Sequence, residues 1–481
     1  MDMLDPKTRR KKILKRAFLY TLMTGSVIVL VIVGLFSVLG FTVDEDTGQA
    51  KQGGLMQFRS VPEAATVVLD RKTLTDKTPS KSNVSSDSTH DVTIKKALYR
   101  EWRKASSVRT GELVWLNALL VPRELKTSEV FAFSELAQIV PSPDKKWLLA
   151  LEKNTEPVMK LVDIRDEKKP RVTPFSLPTS LIIDPKPTDT YEIAEWDFGS
   201  RYILLKRSTE GQVVWYRLDR TDSNAVRNLT TVSGINLSDV HFTGTSGSIF
   251  YGLNEGAIRK VNINQKTISD PIGHNVESYM LYKENWLVYK EKTPIKQRIL
   301  FKKDDAKPIS ILQTTDVALP LKVTQAEYFN DTYIVMTKGN FIEIIQNPEA
   351  RKNIYFKATL PFVPEWVYFS NNGQFVVAQT GHQLFTYNLE RKESFRFSFS
   401  QSTTPYNRPT PLKWLDDFRL WSDQDGKLTM IDFDGTNEQP LSTVLPGYGV
   451  TLSSNNKQLF SIGQNAVTKK SVLQSSRMIL E

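Results

Sequence analysis

The 481-residue chain contains no cysteine. That absence removes disulfides, thiolate metal sites, a thiol nucleophile and a lipid anchor on cysteine. Histidine is nearly as scarce: His90, His241, His274 and His382 stand far apart, and no two have metal-ligand spacing. Each reads as an ordinary loop or strand residue, so no metal and no cofactor is expected. The chain also lacks a G-x-S-x-G elbow, an H-E-x-x-H pair and a phosphate loop. Nor does it carry a D-x-D-x-D-G calcium loop; the short DQDG of Asp423–Gly426 reads as a hairpin turn.

Positive charge is present, but not where a nucleic-acid binder needs it. Of a formal +10, residues 1–16 hold +5, residues 44–50 hold −3, residues 51–125 hold +5, and the remaining +3 is spread over the rest. Nucleic-acid binders concentrate basic residues on their folded domain, so nucleic acid is excluded as a partner.

Charge vanishes altogether from Ala17 to Val43, a run of 27 residues. A bilayer core needs about 20 residues in a helix, whereas a signal peptide has an apolar region of only about 7–15 and a small-residue cleavage site. The run therefore predicts a retained transmembrane helix over 17–43, which makes the lipid bilayer the first partner. Arg9, Arg10, Lys11, Lys12, Lys15 and Arg16 precede it, while Asp44, Glu45 and Asp46 follow. Basic flanks stay in the cytoplasm. Residues 1–16 are thus expected to be a cytoplasmic tail and 44–481 to lie outside the cell membrane.

After a polar linker (44–51) come four runs with a period of two: Leu55–Val61, Ala65–Asp70, His90–Lys96 and Glu112–Pro122. They predict a small β domain over 52–125, with KTPSKSNVSSDS (Lys77–Ser88) as a turn-rich connection. Ser60, Pro62, Ala65, Val67 and Asp70, then Thr78-Pro79, then His90, Val92 and Ile94, then Tyr99, Trp102 and Gly111, follow the order of a PEGA domain. The segment resembles that family, which implies a bacterial surface β-sandwich without catalytic residues. It departs from the family twice. The signature Pro-Glu-Gly-Ala reads Pro62-Glu63-Ala64-Ala65, and the usual Asp-Gly turn reads Asp70-Arg71. Both lost glycines mark turns where Gly supplies φ > 0.

Within YREWRKASSVR, Tyr99 and Trp102 alternate with Arg100, Arg103, Lys104 and Arg109. Such a pattern suits an anionic polymer held by cations and aromatic platforms. The competing reading is an edge strand whose cations block further pairing, with Trp102 buried.

From residue 126 one shape recurs: a polar turn, an anchor residue, then an apolar strand. The anchors are Trp147, Tyr202, Ile249, Trp286, Tyr333, Phe375, Arg419 and Leu459, spaced by roughly 45 residues on average. A second strand follows each copy. Units of this length with four strands are the sign of a β-propeller, here over 126–481. The pattern resembles WD-repeat or TolB-like propellers. Eight copies give eight blades, or seven if a terminal copy is shared in closing the ring, for which EVFAFSE (Glu129–Glu135) is the candidate strand. Ser142-Pro143-Asp144-Lys145-Lys146-Trp147 partly echoes the Asp box of sialidases but reads as a blade turn, with no counterpart in the other blades.

The expected fold is all-β: a transmembrane helix, a PEGA-like sandwich, then a propeller. The expected role is a non-enzymatic binding or scaffolding protein of the cell envelope whose propeller presents a protein- or glycan-binding surface. Two alternatives stand beside it. One is a wall tether that grips anionic polymer through the small domain. The other is a glycan hydrolase built from a carboxylate pair among Asp197, Asp239, Asp416, Asp417 and Glu365.

Overall fold

The computed structural model describes residues 6–38, 41–43, 50–182, 184–349, 353–399 and 411–480. The chain divides into two compact units between Arg123 and Glu124.

In the first unit, Pro6–Val38 forms one helix, α1. Its stretch Leu14–Leu35 has a mean hydropathy of 2.3 and none of it is buried against protein; it is long and apolar enough to cross a membrane. The helix starts before the uncharged run and stops short of its end. It ends at Val38, and Phe41–Val43 (β1) pairs antiparallel with Ala50–Gln52 (β2), placing Phe41 opposite Gln52. The expected span over 17–43 is corrected at this end, where β-branched Thr42 and Val43 favour extended backbone. Linker residues 44–49 and the side chains of Arg9, Arg10, Lys11 and Lys12 lie outside the described residues. Lys15 and Arg16 are exposed on α1.

Seven strands follow: β3 (Gly54–Val61), β4 (Thr66–Leu69), β5 (Lys72–Thr73), β6 (Ser80–Val84), β7 (Ser88–Lys95), β8 (Trp102–Val108) and β9 (Leu113–Leu119). They form two sheets, ordered β6-β3-β9 and β5-β4-β7-β8. β3 and β9 run parallel, with Leu55 opposite Leu113. Inward residues Met56, Phe58, Val67, Ile94, Trp102 and Leu116 are buried. The turn expected at Lys77–Ser88 contains β6, and the aromatic-basic segment contains β8. Both strands are polar, yet their ladders satisfy the backbone whatever the side chains are.

Both turns that lost glycine keep left-handed backbone. Ala64 has φ +60° and Arg71 has φ +68°, next to Asp70 at +47°. Thr78 clamps the first turn. Its carbonyl accepts from Ala64 N–H (2.7 Å), and its Oγ1 accepts from Ala65 N–H (2.9 Å) while meeting Ser60 Oγ at 2.6 Å. Asp70 ties the second turn to β7, accepting from Asp91 N–H at 2.9 Å and meeting His90 Nδ1 at 2.6 Å.

The described part of the second unit holds eight four-stranded antiparallel sheets. Blades 1 to 7 are sequential, covering 138–176, 190–228, 240–268, 276–314, 321–359, 366–398 and 413–443. Blade 8 combines three C-terminal strands with Thr127–Ala132 (β10), which pairs with Ser471–Arg477. The EVFAFSE segment thus closes the ring, and the count is eight.

Each second strand starts at or within two residues of its anchor, and its apolar triplet packs both ways. Leu205 faces blade 1 while Leu204 faces blade 3; Tyr333 faces blade 6 while Ile334 faces blade 4. Burial on both faces explains why these strands read as unbroken apolar runs rather than alternating ones. Phe460, Ile462 and Leu473 of blade 8 pack with Leu148, Ala150 and Val162 of blade 1, so the last interface equals the others.

The turn between the first two strands is itself repeated, which corrects the reading of Ser142–Trp147 as unique. Ser142, Ser370 and Ser453 each donate from Oγ to a side-chain oxygen two residues on (Asp144, Asn372, Asn455). Each Oγ also accepts the N–H five residues on, at 3.0 Å. Asp197 takes the serine's place in blade 2, accepting from Tyr202 N–H at 2.7 Å. The fourth position is left-handed in all four: Lys145, Ser200, Gly373 and Asn456.

Candidate functional site

The innermost strands of blades 4 to 7 are Val276–Tyr282, Leu321–Tyr328, Trp366–Phe369 and Lys413–Trp414. Together they wall a cavity of about 830 Å³. Small-molecule sites span about 300–1,000 Å³, so this one has room for an extended ligand. Tyr279, Trp366, Tyr368 and Trp414 line it, and charge comes from Glu277, Lys290, Lys322, Glu365 and Lys413.

The charges are not all compensated. Glu277 bridges Lys290 at 2.5 Å and Lys292 at 3.8 Å, and the bond to Lys290 holds its carboxyl below the usual range. Lys322, Glu365 and Lys413 have no ion-pair partner among the described residues. Lys413 Nζ instead sits 5.8 Å from the Trp421 ring centroid. Trp414 stacks on Phe375 at 6.1 Å and 27°, and its Nε1 is buried without an acceptor. An unmet buried donor costs about 1–3 kcal/mol.

A second cluster adjoins the cavity through Tyr279. His241 Nδ1 lies 2.8 Å from Glu195 of blade 2, and its Nε2 lies 3.3 Å from Asp239. Tyr279 meets the imidazole edge-on at 5.3 Å. Burial alone would depress the imidazole pKa. The hydrogen bonds to Asp239 and Glu195 outweigh it, and the pKa is raised to about 10. At neutral pH the cluster is therefore a charged clamp between blades 2 and 3.

The five expected carboxylates do not converge. Asp197 is a buried turn residue whose carboxylate accepts three backbone N–H groups. Asp239 is held by His241, and Asp416 bonds the buried Arg419 at 2.7 Å. Asp417 is half-buried beside Asp416, and burial pushes its carboxyl up. Of the five, Glu365 lines the cavity. Among the described residues no three His, Asp or Glu side chains gather as a metal set.

The expected polymer patch is split by the strand it lies on. β8 is the edge of its sheet. Tyr99 and Trp102 turn inward and are buried, so neither offers a stacking face. Arg103 and Arg109 are exposed, Arg100 and Lys104 half-buried, and Arg103 is bound to Glu101.

Sequence reasoning missed the aromatic and basic residues of the cavity. The available signal was a charged-aromatic pair just upstream of two apolar strands, Glu365-Trp366 and Lys413-Trp414. Nothing in the linear order says that these pairs meet Tyr279 and Lys322.

The PEGA domain family matches residues 54–124. No curated protein matches the chain. Among solved structures, Hsv2 of Kluyveromyces lactis is similar at 10% identity and a TM-score of 0.38, covering 71% of this chain and 97% of that one. The β-propeller domain of Myceliophteria thermophila Cps50 (Swd1) is similar at 10% identity and a TM-score of 0.38, covering 73% and 99%. An oligogalacturonate lyase in complex with manganese is similar at 9% identity and a TM-score of 0.38, covering 74% and 98%.

Proposed function

We propose that the chain is a membrane-anchored binding and scaffolding protein of the cell envelope, non-enzymatic, with the propeller outside the membrane and its central cavity as the ligand face. The cavity carries this reading: four blades bring into one space aromatic walls and two lysines without ion-pair partners among the described residues. The exposed apolar stretch of α1 supports the anchor, and the basic residues before it support a cytoplasmic N-terminus. A binding rather than catalytic role is supported by Asp197, Asp239 and Asp416, each engaged in holding the fold.

The test is capture of envelope proteins and wall fragments by the detergent-extracted full chain, against a variant carrying Trp366→Ala and Lys413→Glu, at low and high salt. Species retained by the native chain and lost from the variant identify the cavity's ligand. Survival in high salt separates aromatic and hydrogen-bonded recognition from surface charge, which salt screens. If both chains capture the same material, the cavity is not the ligand face.

A further inference from the structure

The outward face of the three-stranded sheet in the small domain has an unusual make-up. By register it carries Leu55, Gln57 and Arg59 of β3, Lys81 and Asn83 of β6, and Leu113, Trp115 and Asn117 of β9. Leu113 and Trp115 are 43% and 44% exposed, and the Arg59 guanidinium lies over the Trp115 ring at 5.3 Å. Lys81 is exposed on the same row as Trp115. No acidic side chain stands at any of these positions. A two-sided sheet face normally ends in mixed charge; this one pairs apolar groups with cations alone.

Its place in the chain says what it meets. Leu55 and Leu113 open their parallel strands at the end where the chain arrives from α1. The β1–β2 hairpin folds that connection back on itself, placing Phe41 opposite Gln52. Counting three residues on either side of the ladder, Leu55 lies within about 26 Å of the end of α1 at full extension. A surface tethered that closely meets its target at a high effective concentration. Tryptophan settles at membrane interfaces, and cations are drawn to anionic headgroups.

We propose that this face docks the small domain on anionic lipid headgroups of the membrane that α1 enters. The proposal rests on the anchored reading above. Trp115 and Leu113 reach the headgroup layer while Arg59 and Lys81 pair with its charges. Docking then fixes the domain against the membrane, and the chain leaves for the propeller from the far end of β9.

The absence of cysteine allows a clean test. The full chain, with one cysteine introduced at Gln57 or, as a control, at exposed Lys77, is labelled with an environment-sensitive fluorophore and reconstituted into vesicles. Phosphatidylglycerol-containing vesicles are compared with pure phosphatidylcholine, and quenching by spin-labelled headgroups is read. Docking predicts quenching at position 57 but not 77, in anionic vesicles only, weakened by salt. Arg59→Glu and Lys81→Glu should each lower the docked-to-free ratio at least about fivefold, the factor for one cation near an anionic surface. If the labelled chain floats with vesicles but position 57 stays unquenched, docking is overturned and the anchor stands. Protection of position 57 without lipid quenching assigns the face to protein or polymer instead and likewise overturns it, as does quenching indifferent to headgroup charge. Failure to float at all removes the anchor, and docking with it.

Discussion

Ala64 and Arg71 occupy left-handed positions that glycine adopts without strain. The backbone has kept its turn and absorbed the strain, because Thr78 clamps the first turn and Asp70 ties the second to β7. Ala64→Gly should therefore raise unfolding stability of the small domain by about 0.5–1 kcal/mol. Thr78→Val keeps the shape but strands the Ala65 N–H and should cost roughly 1–3 kcal/mol. Urea unfolding followed by Trp102 and Trp115 fluorescence reads both; a gain from Thr78→Val would remove the clamp. His241 makes a prediction of opposite character, in pH. Its imidazole is normally near 6.5 when unfolded and is raised to about 10 between Asp239 and Glu195. A raised folded value means the stabilisation is complete below about pH 6.5 and is lost as pH climbs toward 10. Thermal unfolding should show the native chain losing stability across that window, and His241→Gln lacking this part of the slope. Parallel profiles would show that the clamp does not couple blades 2 and 3.

At the scale of elements, the second and third strands of every blade were legible because the physics there is local. Both faces of a blade are covered, so Leu148–Leu151, Ile203–Leu205 and Phe375–Ala378 are unbroken apolar runs after a polar turn. Strand β6 was not legible, since polar SKSNV owes its extension to the ladder with β3, some 22–30 residues earlier. Strand β8 was legible as one of two readings of its segment, an edge strand with Trp102 buried. The turn repeat was half legible: Ser142 and Asp144 were noticed, but their equivalence to Ser370–Asn372 and Ser453–Asn455 hides behind an Asp-to-Asn exchange. That turn separates two kinds of substitution. Ser370→Ala removes one donor and one acceptor and should cost about 1–2 kcal/mol. Gly373→Ala does more, because φ is +76° and a Cβ there would lie 2.4 Å from the Glu327 carbonyl of blade 5. Strain and clash together predict roughly 2–4 kcal/mol. Thermal unfolding of the two variants side by side decides it, and equal costs would mean that blades 5 and 6 can part at this turn without penalty.

At the scale of the molecule, what the sequence hides is assembly. The cavity needs Tyr279, Lys322, Trp366 and Lys413, spread over 135 positions and ordinary as isolated strand residues. Only ring geometry turns them to one axis, and ring geometry depends on closure. Closure is non-covalent: no disulfide is possible, and β10 joins the last blade through pairing with Ser471–Arg477 and burial of Phe133. Phe133 packs in the cluster shared by blades 8 and 1, as Phe385 does in the cluster shared by blades 5 and 6. Both are fully buried. In an open array the terminal contact would be the first to fray, and losing it would matter little to the rest. In a closed ring no interface is terminal. Phe133→Ala should then cost about 3–5 kcal/mol, the same as Phe385→Ala. It should also speed amide hydrogen exchange in blades 1 and 8 together. A small cost for Phe133→Ala, with exchange raised only in β10, would make the ring a latch that opens, and the cavity a site that exists only while it is shut.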